Sequence, residues 1–334
     1  MENRQIIFTK PNTAELLNVE YRKPADDEVV VRTEFSTVSC GTERANIIGN
    51  QKVAGTGATF PRMLGYSSAG CVVEKGKKVN TVDVGDRVVV FWGKHMAYNT
   101  VPEKHVVKIT YPEVSMQEAA LSFIATFPLA AIRKTRLEIG ESAIVMGLGL
   151  LGQLAVKLLK TAGSLPIVAV DPIKSRRDEA IIGGADYALD PMEIGFAEKT
   201  KDITNGGAKV GIEVTGVGAG LDGILDCMAP FGRVALLGCT RNKDFTIDYY
   251  SKVHFTGITM IGAHTLARPE VESHPGWFTH KDDIETVLKL VAGERLDIAS
   301  MIKETHLPEE CGDVYTRLVN DKDFPTVVQF KWSE

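Results

Sequence analysis

Three glycines in the middle of the chain have the spacing of a turn that binds phosphate. Gly147, Gly149 and Gly152 form a G-x-G-x-x-G sequence directly after the apolar run Ala143–Met146, and a helical segment follows. In such a turn the first glycine makes a tight bend and the second lets backbone N–H groups approach a pyrophosphate. The third lets helix and strand pack closely. We therefore predict a dinucleotide site in which these glycines and Leu151 bind the cofactor.

An acidic residue stands where such a site needs one. Asp171 ends the next apolar run, and a carboxylate there can accept hydrogen bonds from the adenosine ribose hydroxyls and would repel a 2′-phosphate. We predict NAD as the cofactor, although Arg176 and Arg177 follow closely and could bind a phosphate. The alternative is a glycine turn of an ordinary α/β protein, with Asp171 as a helix cap.

The segments around the glycine turn predict how it is held. After about residue 120, continuous apolar runs alternate with helical segments, which implies a parallel sheet covered on both faces. The runs are Ala143–Met146, Ile167–Val170, Val210–Val214 and Arg233–Leu237. A helical segment precedes them and is interrupted by Pro128. We predict an α/β Rossmann domain over residues 124–263.

The remaining residues predict a second, β-rich domain. Before about residue 120 the chain has short β-branched runs, such as Val29–Val31 and Arg87–Phe91, with turn clusters between them. A mixed pattern returns after about residue 265 and closes on TVVQFKW, a predicted last strand. We predict a β-rich barrel domain formed by residues 1–123 and 264–334.

Composition and charge exclude several classes of function. The 334 residues are 24% charged with a net charge of −5, and they contain no basic tract that would bind nucleic acid or an anionic membrane. The first residues do not resemble a signal peptide, and no apolar run approaches the ~20 residues of a membrane span. Five scattered cysteines without a C-x-x-C indicate reduced thiols. We expect a cytoplasmic protein that binds neither nucleic acid nor membrane.

Five segments, taken in order, resemble the medium-chain dehydrogenase/reductase superfamily, the relatives of zinc alcohol dehydrogenase. They are VVVRTEFSTVSCGTE, PRMLGYSSAGCVVEKG, VNTVDVGDRVVV, AIVMGLGLLGQLAVKLLK and VGIEVTG. The resemblance implies a GroES-like barrel domain beside the Rossmann domain, with substrate and nicotinamide in the cleft between them. It also implies a homodimer formed through the edge of the Rossmann sheet, here roughly Val253–Gly262.

The resemblance also locates the positions of a catalytic zinc, and the sequence departs from the family there. Cys40 stands at the first ligand position, but Tyr66 occupies the second and Ser122 falls on the third. Hydroxyl groups are poor zinc ligands. The family's relay histidine is replaced by Ala45, and the cysteines of its structural zinc lobe are absent. We predict no metal, with Cys40 and Ser122 on the substrate side. Cys40 can instead be a small, buried, unreactive thiol, and a non-standard site of Cys40 with distant histidines stays open.

Without a metal, a side chain must exchange the hydroxyl proton during hydride transfer. Tyr66 is one candidate, because the resemblance places it at a former ligand position; the alternative is a tyrosine of the barrel core. Thr42, at the family's hydroxyl-relay position, is expected to bridge substrate and cofactor ribose, or else to cap a helix. Histidine is a common general base, and His95 lies where family members line the substrate side, so it is a candidate base or else structural.

The resemblance implies further contacts with cofactor and substrate. His264 and Arg268 are expected to bind substrate hydroxyls or a carboxylate, or else to form a solvated rim. Glu43 is expected to support a neighbouring residue or to form a surface ion pair rather than to act as a base. The further cofactor residues are Thr126, Thr215, Leu237, Gly238, Cys239, Gly262 and Ala263.

These expectations combine into one predicted activity and two alternatives. We expect a zinc-independent, NAD(H)-dependent dehydrogenase that transfers a hydride between nicotinamide and a secondary alcohol or ketone. The GTER and GYSSAG segments resemble a subgroup that includes bacteriochlorophyllide dehydrogenase-like proteins and sugar or polyol dehydrogenases, which favours a hydroxylated substrate. The alternatives are an NAD(P)H-dependent enone or quinone reductase and a dinucleotide-binding sensor without chemistry.

Overall fold

The chain divides into two compact units, one inserted within the other. The structure is a computed structural model that describes residues 2–50, 59–240 and 244–332. Unit 1 comprises Met1–Ile124 and Ile284–Glu334, and unit 2 comprises Ala125–Asp283. The sequence predicts the second boundary at 263/264, but residues 264–283 belong to unit 2. The reason is that Arg268 pairs with Asp283, and Lys134 donates a hydrogen bond to the carbonyl oxygen of Ala267.

Unit 1 is built mainly of antiparallel strands. One sheet has the order β15-β16-β3-β5-β6-β8, with β7 paired to β3, and a second has the order β2-β1-β4. Its strands are β1 (Asn3–Lys10), β2 (Thr13–Val19), β3 (Glu28–Thr37), β4 (Arg62–Met63), β5 (Ser67–Lys75), β6 (Arg87–Phe91), β7 (Tyr98–Pro102), β8 (Val106–Lys108), β15 (Ile302–His306) and β16 (Val327–Lys331). Its helices are α1 (Cys40–Ile47) and α8 (Cys311–Asn320), and α2 (Met116–Thr135) and α7 (His280–Ala292) each span a boundary between the units.

Valines at alternate positions form the core of the larger sheet. Val29 and Val31 of β3 and Val88 and Val90 of β6 have no exposed surface. Residues two apart in a strand point to the same face, so each pair contributes both side chains to one apolar layer. Each such burial stabilises the fold by about 1.5–3 kcal/mol. This layer fixes the strands that carry the residues of the site.

Unit 2 contains a six-stranded sheet in which every neighbouring pair is parallel. The strand order is β11-β10-β9-β12-β13-β14. The strands are β9 (Ala143–Met146), β10 (Ile167–Val170), β11 (Tyr187–Leu189), β12 (Ala208–Glu213), β13 (Met228–Leu236) and β14 (Thr259–Gly262). The helices are α3 (Leu150–Thr161), α4 (Lys174–Gly183), α5 (Phe196–Ile203) and α6 (Gly218–Asp226). The predicted Rossmann sheet is confirmed, and β9 and β10 coincide with their predicted runs.

Helix α2 continues through Pro128, where the sequence predicts an interruption. The helix runs over 20 residues, from Met116 to Thr135. Proline removes one backbone hydrogen bond from a helix. The neighbouring side chains of Ile124, Ala125 and Ala131 are fully buried, and this packing offsets the lost bond. No helix within the described ranges has the length and apolar character that a bilayer span requires.

Glu304 is expected to make the stability of unit 1 depend on acid pH. Its carboxylate accepts hydrogen bonds from Arg317 at 2.8 and 2.9 Å. These bonds lower the pKa of Glu304 from 4.5 to about 2. A lowered pKa in the folded state stabilises the protein fully above the unfolded value, and this contribution is lost as the pH falls from about 4.5 to about 2. We expect Glu304→Gln to lower Tm at pH 7, and the difference from wild type to shrink below pH 4.5 in thermal melts.

The exposed Glu285 of α7 provides the matched control for this prediction. Glu285→Gln is expected to leave Tm unchanged at both ends of the pH range, because Glu285 has no bonded partner in the part of the chain that the structure describes. A Tm difference for Glu304→Gln that is equally large at pH 7 and at about pH 3 would contradict the assigned role of the carboxylate charge.

Candidate active site

The glycine turn of unit 2 has the geometry of a phosphate cradle. Gly147 adopts φ +98°, which favours glycine, and its N–H donates to the carbonyl oxygen of Val170 at 2.8 Å. A Cβ atom at Gly152 would lie 1.9 Å from the carbonyl oxygen of Gly147, so only glycine allows α3 to approach the turn this closely. A Cβ atom at Gly149 would meet nothing within 4 Å. The N-terminus of α3 therefore faces open space in front of Gly149, where a pyrophosphate can be bound.

This turn lies where the strand order of the sheet reverses. The chain leaves β9 toward β10 and β11 on one side and returns to β12 on the other. Thr215, just after β12, packs against the turn, since a Cβ atom at Gly147 would lie 2.9 Å from its Cγ2. Glu213 holds Thr215 by accepting hydrogen bonds from its N–H at 2.8 Å and from its hydroxyl. Ligands of open α/β sheets bind at this reversal, outside the carboxyl ends of the strands.

Asp171 joins the end of β10 to the glycine turn. Its carboxylate oxygens accept hydrogen bonds from the N–H of Leu148 at 2.8 Å and of Ile173 at 2.9 Å. The N-cap of α4 is Ile173, so Asp171 does not occupy the cap position that the alternative interpretation gave it. Arg176 lies 3.8 Å from the carboxylate, whereas Arg177 pairs with Asp190 at 3.0 Å. The acidic group therefore stands at the edge of the turn, with Arg176 as its neighbouring cation.

The other predicted cofactor residues lie at the same edge of the sheet or on α2. The N–H groups of Leu237 and Gly238, after β13, donate to the carbonyl oxygen of Glu213 at 2.9 and 2.8 Å. Gly262 ends β14, and the N–H of Ala263 donates to the carbonyl oxygen of Leu236 at 3.1 Å. Three further positions were predicted: Cys239 is exposed, Leu151 is half-buried in the first turn of α3, and Thr126 is buried in α2.

Tyr66 stands in an aromatic cluster of unit 1. Its hydroxyl hydrogen-bonds with the hydroxyl of Ser39, the residue before α1. Its ring lies 5.7 Å from that of Trp92 and 5.8 Å from that of Phe123. Trp92 adopts φ +61°, a conformation that costs free energy in a residue with a side chain, and its N–H donates to the carbonyl oxygen of Tyr66 at 2.9 Å. The Tyr66 phenol is therefore fixed by aromatic packing and hydrogen-bonded with the hydroxyl of Ser39.

The side chains at the family's zinc positions contact backbone carbonyl oxygens or another hydroxyl group. The thiol of Cys40 lies 3.7–3.8 Å from the carbonyl oxygens of Val38, Pro325 and Thr326. Ser122 is fully buried and donates to the carbonyl oxygen of Ala119 at 2.7 Å, which contradicts its predicted place on the substrate side. In the part of the chain that the structure describes, no three His, Cys, Asp or Glu side chains converge as metal ligands. One thiol and two hydroxyls do not fit zinc.

His95 is enclosed in unit 1, with only 1% of its surface exposed. Its Nδ1 hydrogen-bonds with the hydroxyl of Ser36 at 2.7 Å, and its Nε2 lies 3.2 Å from both carboxylate oxygens of Glu43. The indole N–H of Trp332 also donates to Ser36, at 2.8 Å. A base must reach its substrate. The predicted catalytic role of His95 therefore does not agree with this position, and His95 is a structural residue.

The hydrogen-bond network around His95 also fixes the position of Ser39, through Glu43. Glu43 is fully buried and accepts hydrogen bonds from the hydroxyl of Tyr315 and, at 2.9 Å, from the N–H of Ser39. Burial, and then the Glu43 carboxylate, raise the pKa of Tyr315 well above its usual value, so Tyr315 remains a donor. Glu43 thus supports a neighbouring residue, as expected. The network holds the backbone of Ser39, whose hydroxyl bonds with Tyr66.

Replacement of His95 is expected to affect stability and not the pH dependence of turnover. His95→Gln leaves buried polar partners unsatisfied, which costs about 1–3 kcal/mol. We expect His95→Gln to unfold at a lower urea concentration than wild type. The apparent pKa values in its profile of kcat against pH are expected to equal those of wild type. An unchanged urea midpoint combined with the loss of one limb of that profile would instead restore His95 as a base.

The two substrate residues predicted in unit 2 differ in position. His264 is exposed, and its Nδ1 accepts the N–H of Leu266 at 3.2 Å. The side chain of Arg268 is only 3% exposed and pairs with Asp283 at 2.9 Å. It also donates to the carbonyl oxygen of Thr126 at 3.3 Å. Arg268 is therefore a buried, paired cation, and this position does not favour its predicted contact with substrate.

Three residues of the Tyr66 cluster were not predicted. Ser39 has a sequence signal, because serine directly before a helix favours the N-cap position. Trp92 and Phe123 have a weaker one: each is an aromatic residue in an apolar segment, which a core position explains equally well. The proximity of Trp92 to Tyr66 arises from the pairing of β5 with β6, which brings Ser67 opposite Phe91, whereas Phe123 lies on α2.

Two family models match the chain. The alcohol dehydrogenase GroES-like domain matches residues 25–111, and the zinc-binding dehydrogenase model matches residues 151–292. L-threonine 3-dehydrogenase of Pyrococcus furiosus is 31% identical over 295 residues, which are 77% of this chain and 81% of that protein. D-guloside 3-dehydrogenase of Escherichia coli is 26% identical over 322 residues, 90% of this chain and 91% of the relative. The crystal structure of benzyl alcohol dehydrogenase from Acinetobacter calcoaceticus superposes over both full chains with a TM-score of 0.86 at 20% identity.

The chain therefore belongs to the medium-chain dehydrogenase/reductase superfamily, in its zinc alcohol dehydrogenase-like branch. It is an oxidoreductase that uses a nicotinamide cofactor. The predicted GroES-like and Rossmann folds are both confirmed.

Proposed function

We propose that this chain is a zinc-independent, NAD(H)-dependent dehydrogenase that interconverts a secondary alcohol and a ketone. One observation carries the proposal: Tyr66, at the position of a missing zinc ligand, has its hydroxyl hydrogen-bonded with that of Ser39. The thiol of Cys40, the next residue after Ser39, contacts backbone carbonyl oxygens. Zinc would stabilise the alkoxide and lower the pKa of the alcohol. In this chain the phenol takes over that part of the chemistry.

Proton transfer is the task assigned to Tyr66. When bound, nicotinamide accepts a hydride from the alcohol carbon or returns one to the carbonyl carbon. In the reductive direction the Tyr66 hydroxyl donates its proton to the carbonyl oxygen, and in the oxidative direction the phenolate accepts the alcohol proton. Ser39 hydrogen-bonds with the phenol oxygen and stabilises its negative charge between turnovers. Thr42, half-buried in the first turn of α1, binds the substrate oxygen from the other side.

We assign NAD rather than NADP on the position of Asp171. The carboxylate is held by two backbone N–H groups and keeps further lone pairs for the ribose hydroxyls. A 2′-phosphate would lie against this negative charge, with Arg176 as its nearest cation. Comparison of dissociation constants for NADH and NADPH by fluorescence titration tests this assignment, and tighter NADPH binding would reverse it.

A hydroxylated small molecule is the proposed class of substrate. L-threonine and D-guloside, in the names of the two relatives, are both hydroxylated. A small polar alcohol also suits a site whose proposed contacts are the hydroxyls of Tyr66 and Thr42. Cys40, two residues before Thr42 in α1, has a half-buried thiol.

The test combines metal analysis with turnover. We expect purified protein to contain zinc far below one ion per chain, and to oxidise NADH with a panel of ketones and keto-sugars after dialysis against a chelator. Stoichiometric zinc, with activity lost to the chelator and restored by zinc, would overturn the proposal. Strong NADPH-dependent turnover of quinones would indicate an enone or quinone reductase, and tight NADH binding without any turnover would indicate a sensor.

We also propose a homodimer formed through β14. Among the described strands β14 is at the edge of the parallel sheet and pairs with β13 alone. The preceding segment exposes 80% of Phe255 and 66% of Tyr250, large apolar surfaces that a second copy can cover. Light scattering on the full chain is expected to give the mass of two chains, and a monomer at micromolar concentration would refute the dimer.

A further inference from the structure

Lys134, in the last turn of α2, is a buried cation with no acidic partner among the described residues. Only 6% of its surface is exposed. Its ammonium group donates to the carbonyl oxygens of Gly262 at 3.1 Å and Ala267 at 2.5 Å, and it lies 4.4 Å from the centre of the Trp277 ring. Within the described residues no carboxylate lies at ion-pair distance from it. Burial of an unpaired charge is costly, so this position needs an explanation.

The two carbonyl oxygens that Lys134 contacts lie at the two ends of one backbone segment, residues 262–267. Gly262 ends β14, and residues 263–267 leave the sheet from there. Arg268 holds the same segment from its other end, because its Nε donates to the carbonyl oxygen of Thr265 at 3.0 Å. Lys134 and Arg268 together fix three carbonyl groups of a short, partly exposed stretch. A neutral side chain at position 134 would leave the carbonyl groups of Gly262 and Ala267 without this donor.

The sheet order indicates which part of the cofactor meets this stretch. Asp171 follows β10, so the adenosine half lies on the β10 side of the glycine turn. The nicotinamide half must then lie over the other half of the sheet, beyond the carboxyl ends of β12, β13 and β14. Gly262 is the last residue of β14, and a Cβ atom there would meet nothing within 4 Å. The backbone at Gly262 is therefore open to a ligand.

We propose that Lys134 is a positioning residue for the nicotinamide half of the cofactor: its ammonium group fixes the backbone at the carboxyl end of β14, against which the nicotinamide binds. The inference rests on the proposed function, since it requires a nicotinamide cofactor in unit 2. Lys134 need not touch the cofactor. It acts through the carbonyl groups of Gly262 and Ala267.

The charge state of Lys134 agrees with this role. Burial, and then the nearby Arg268, lower the pKa of Lys134 to about 8, while Asp283 opposes the shift. At pH 7 the amine is therefore mostly protonated and can donate all three of its hydrogens, two to carbonyl oxygens and one toward the Trp277 ring. Hydrogen bonds from a charged donor are the stronger kind, which suits a residue that must hold exposed backbone in place.

The test compares NADH with ADP-ribose, which lacks nicotinamide. For Lys134→Met we expect the dissociation constant of NADH to rise by roughly 10–100-fold, from the loss of charge-assisted hydrogen bonds, while that of ADP-ribose stays at the wild-type value. Lys134→Arg keeps the charge but moves the donors, so it is expected to weaken NADH less than Lys134→Met does, again without weakening ADP-ribose. Lys201→Met, an exposed lysine of α5 in the same unit, is the matched control and should bind both ligands normally.

The outcomes separate this inference from the proposed function. Equal weakening of NADH and ADP-ribose by Lys134→Met, or no weakening of either, overturns the positioning role. If Lys134→Met fails to fold, Lys134→Arg carries the test, because a guanidinium displaces the two carbonyl groups without removing the charge. NADH weakening by Lys134→Arg without ADP-ribose weakening supports the inference, and equal effects refute it. Failure of the wild-type protein to bind NADH would instead remove the proposed function.

Discussion

Replacing Tyr66 by phenylalanine is expected to lower kcat for ketone reduction by about 10²–10⁴-fold, the range that general acid catalysis contributes. The aromatic packing against Trp92 and Phe123 is kept in this variant, so only the hydroxyl and its hydrogen bond with Ser39 are removed. NADH binding is expected to stay at the wild-type value, because the glycine turn belongs to unit 2. Steady-state kinetics with the best ketone of the panel, together with NADH titration, measures both quantities.

Two variants provide controls for the Tyr66 prediction. Tyr111→Phe removes a phenol hydroxyl from another half-buried tyrosine of unit 1 and is expected to leave kcat unchanged. Ser39→Ala keeps the Tyr66 hydroxyl and removes its partner, so a smaller loss than in Tyr66→Phe is expected. Wild-type kcat in Tyr66→Phe would show that the proton travels by another route, and would leave Tyr66 as a packing residue.

The second large effect is expected at Gly152. A methyl group there would overlap the carbonyl oxygen of Gly147 at 1.9 Å, so in Gly152→Ala the turn and α3 must move apart. Overpacking of this kind costs about 1–3 kcal/mol. If this cost destabilises the conformation that binds NADH, the affinity for NADH falls by roughly 5–150-fold. Isothermal calorimetry with NADH, alongside thermal melts, measures the loss of affinity and of stability.

Gly149 and Gly223 make this experiment specific. A methyl group at Gly149 would meet no protein atom within 4 Å. Gly149→Ala is therefore expected to keep the wild-type Tm and still weaken NADH, since it fills the space that a pyrophosphate would occupy. Gly223→Ala, on α6 of the same unit, makes only ordinary contacts at 3.8 Å and should change neither quantity adversely. Normal NADH binding by Gly152→Ala and Gly149→Ala would mean that the cofactor does not use this turn.

The sequence predicts unit 2 well because its signals are local. A continuous apolar run such as Ala143–Met146 is buried on both faces only within a sheet that is covered on both sides. The glycines that follow it define the turn by their own spacing, independently of distant residues. The position of Asp171 is predicted equally well, because this residue directly follows the apolar run Ile167–Val170 and therefore stands at the end of a strand. The predicted interruption of α2 at Pro128 is wrong because the packing around this helix outweighs one lost hydrogen bond.

The sequence predicts polar residues of the site less well because their roles depend on distant partners. His95 is a plausible base until Ser36 and Glu43, from β3 and α1, are seen to occupy both ring nitrogens. Arg268 is a plausible substrate ligand until Asp283 and Thr126 are seen to bury it. No local pattern distinguishes a histidine or an arginine that is paired within the fold from one that faces a ligand.

The place of β16 has a consequence for how the chain folds during synthesis. This strand lies inside its sheet, between β15 and β3, so strands near the N-terminus cannot complete their hydrogen bonding until residues up to Lys331 have emerged from the ribosome. All six strands of the parallel sheet emerge earlier, between Ala143 and Gly262. We therefore expect the inserted nucleotide-binding unit to fold first, while the flanking β1–β8 region waits with an unpaired edge on β3. Pausing of translation before β15 would expose that edge, and a chaperone that covers unpaired strands would bind there.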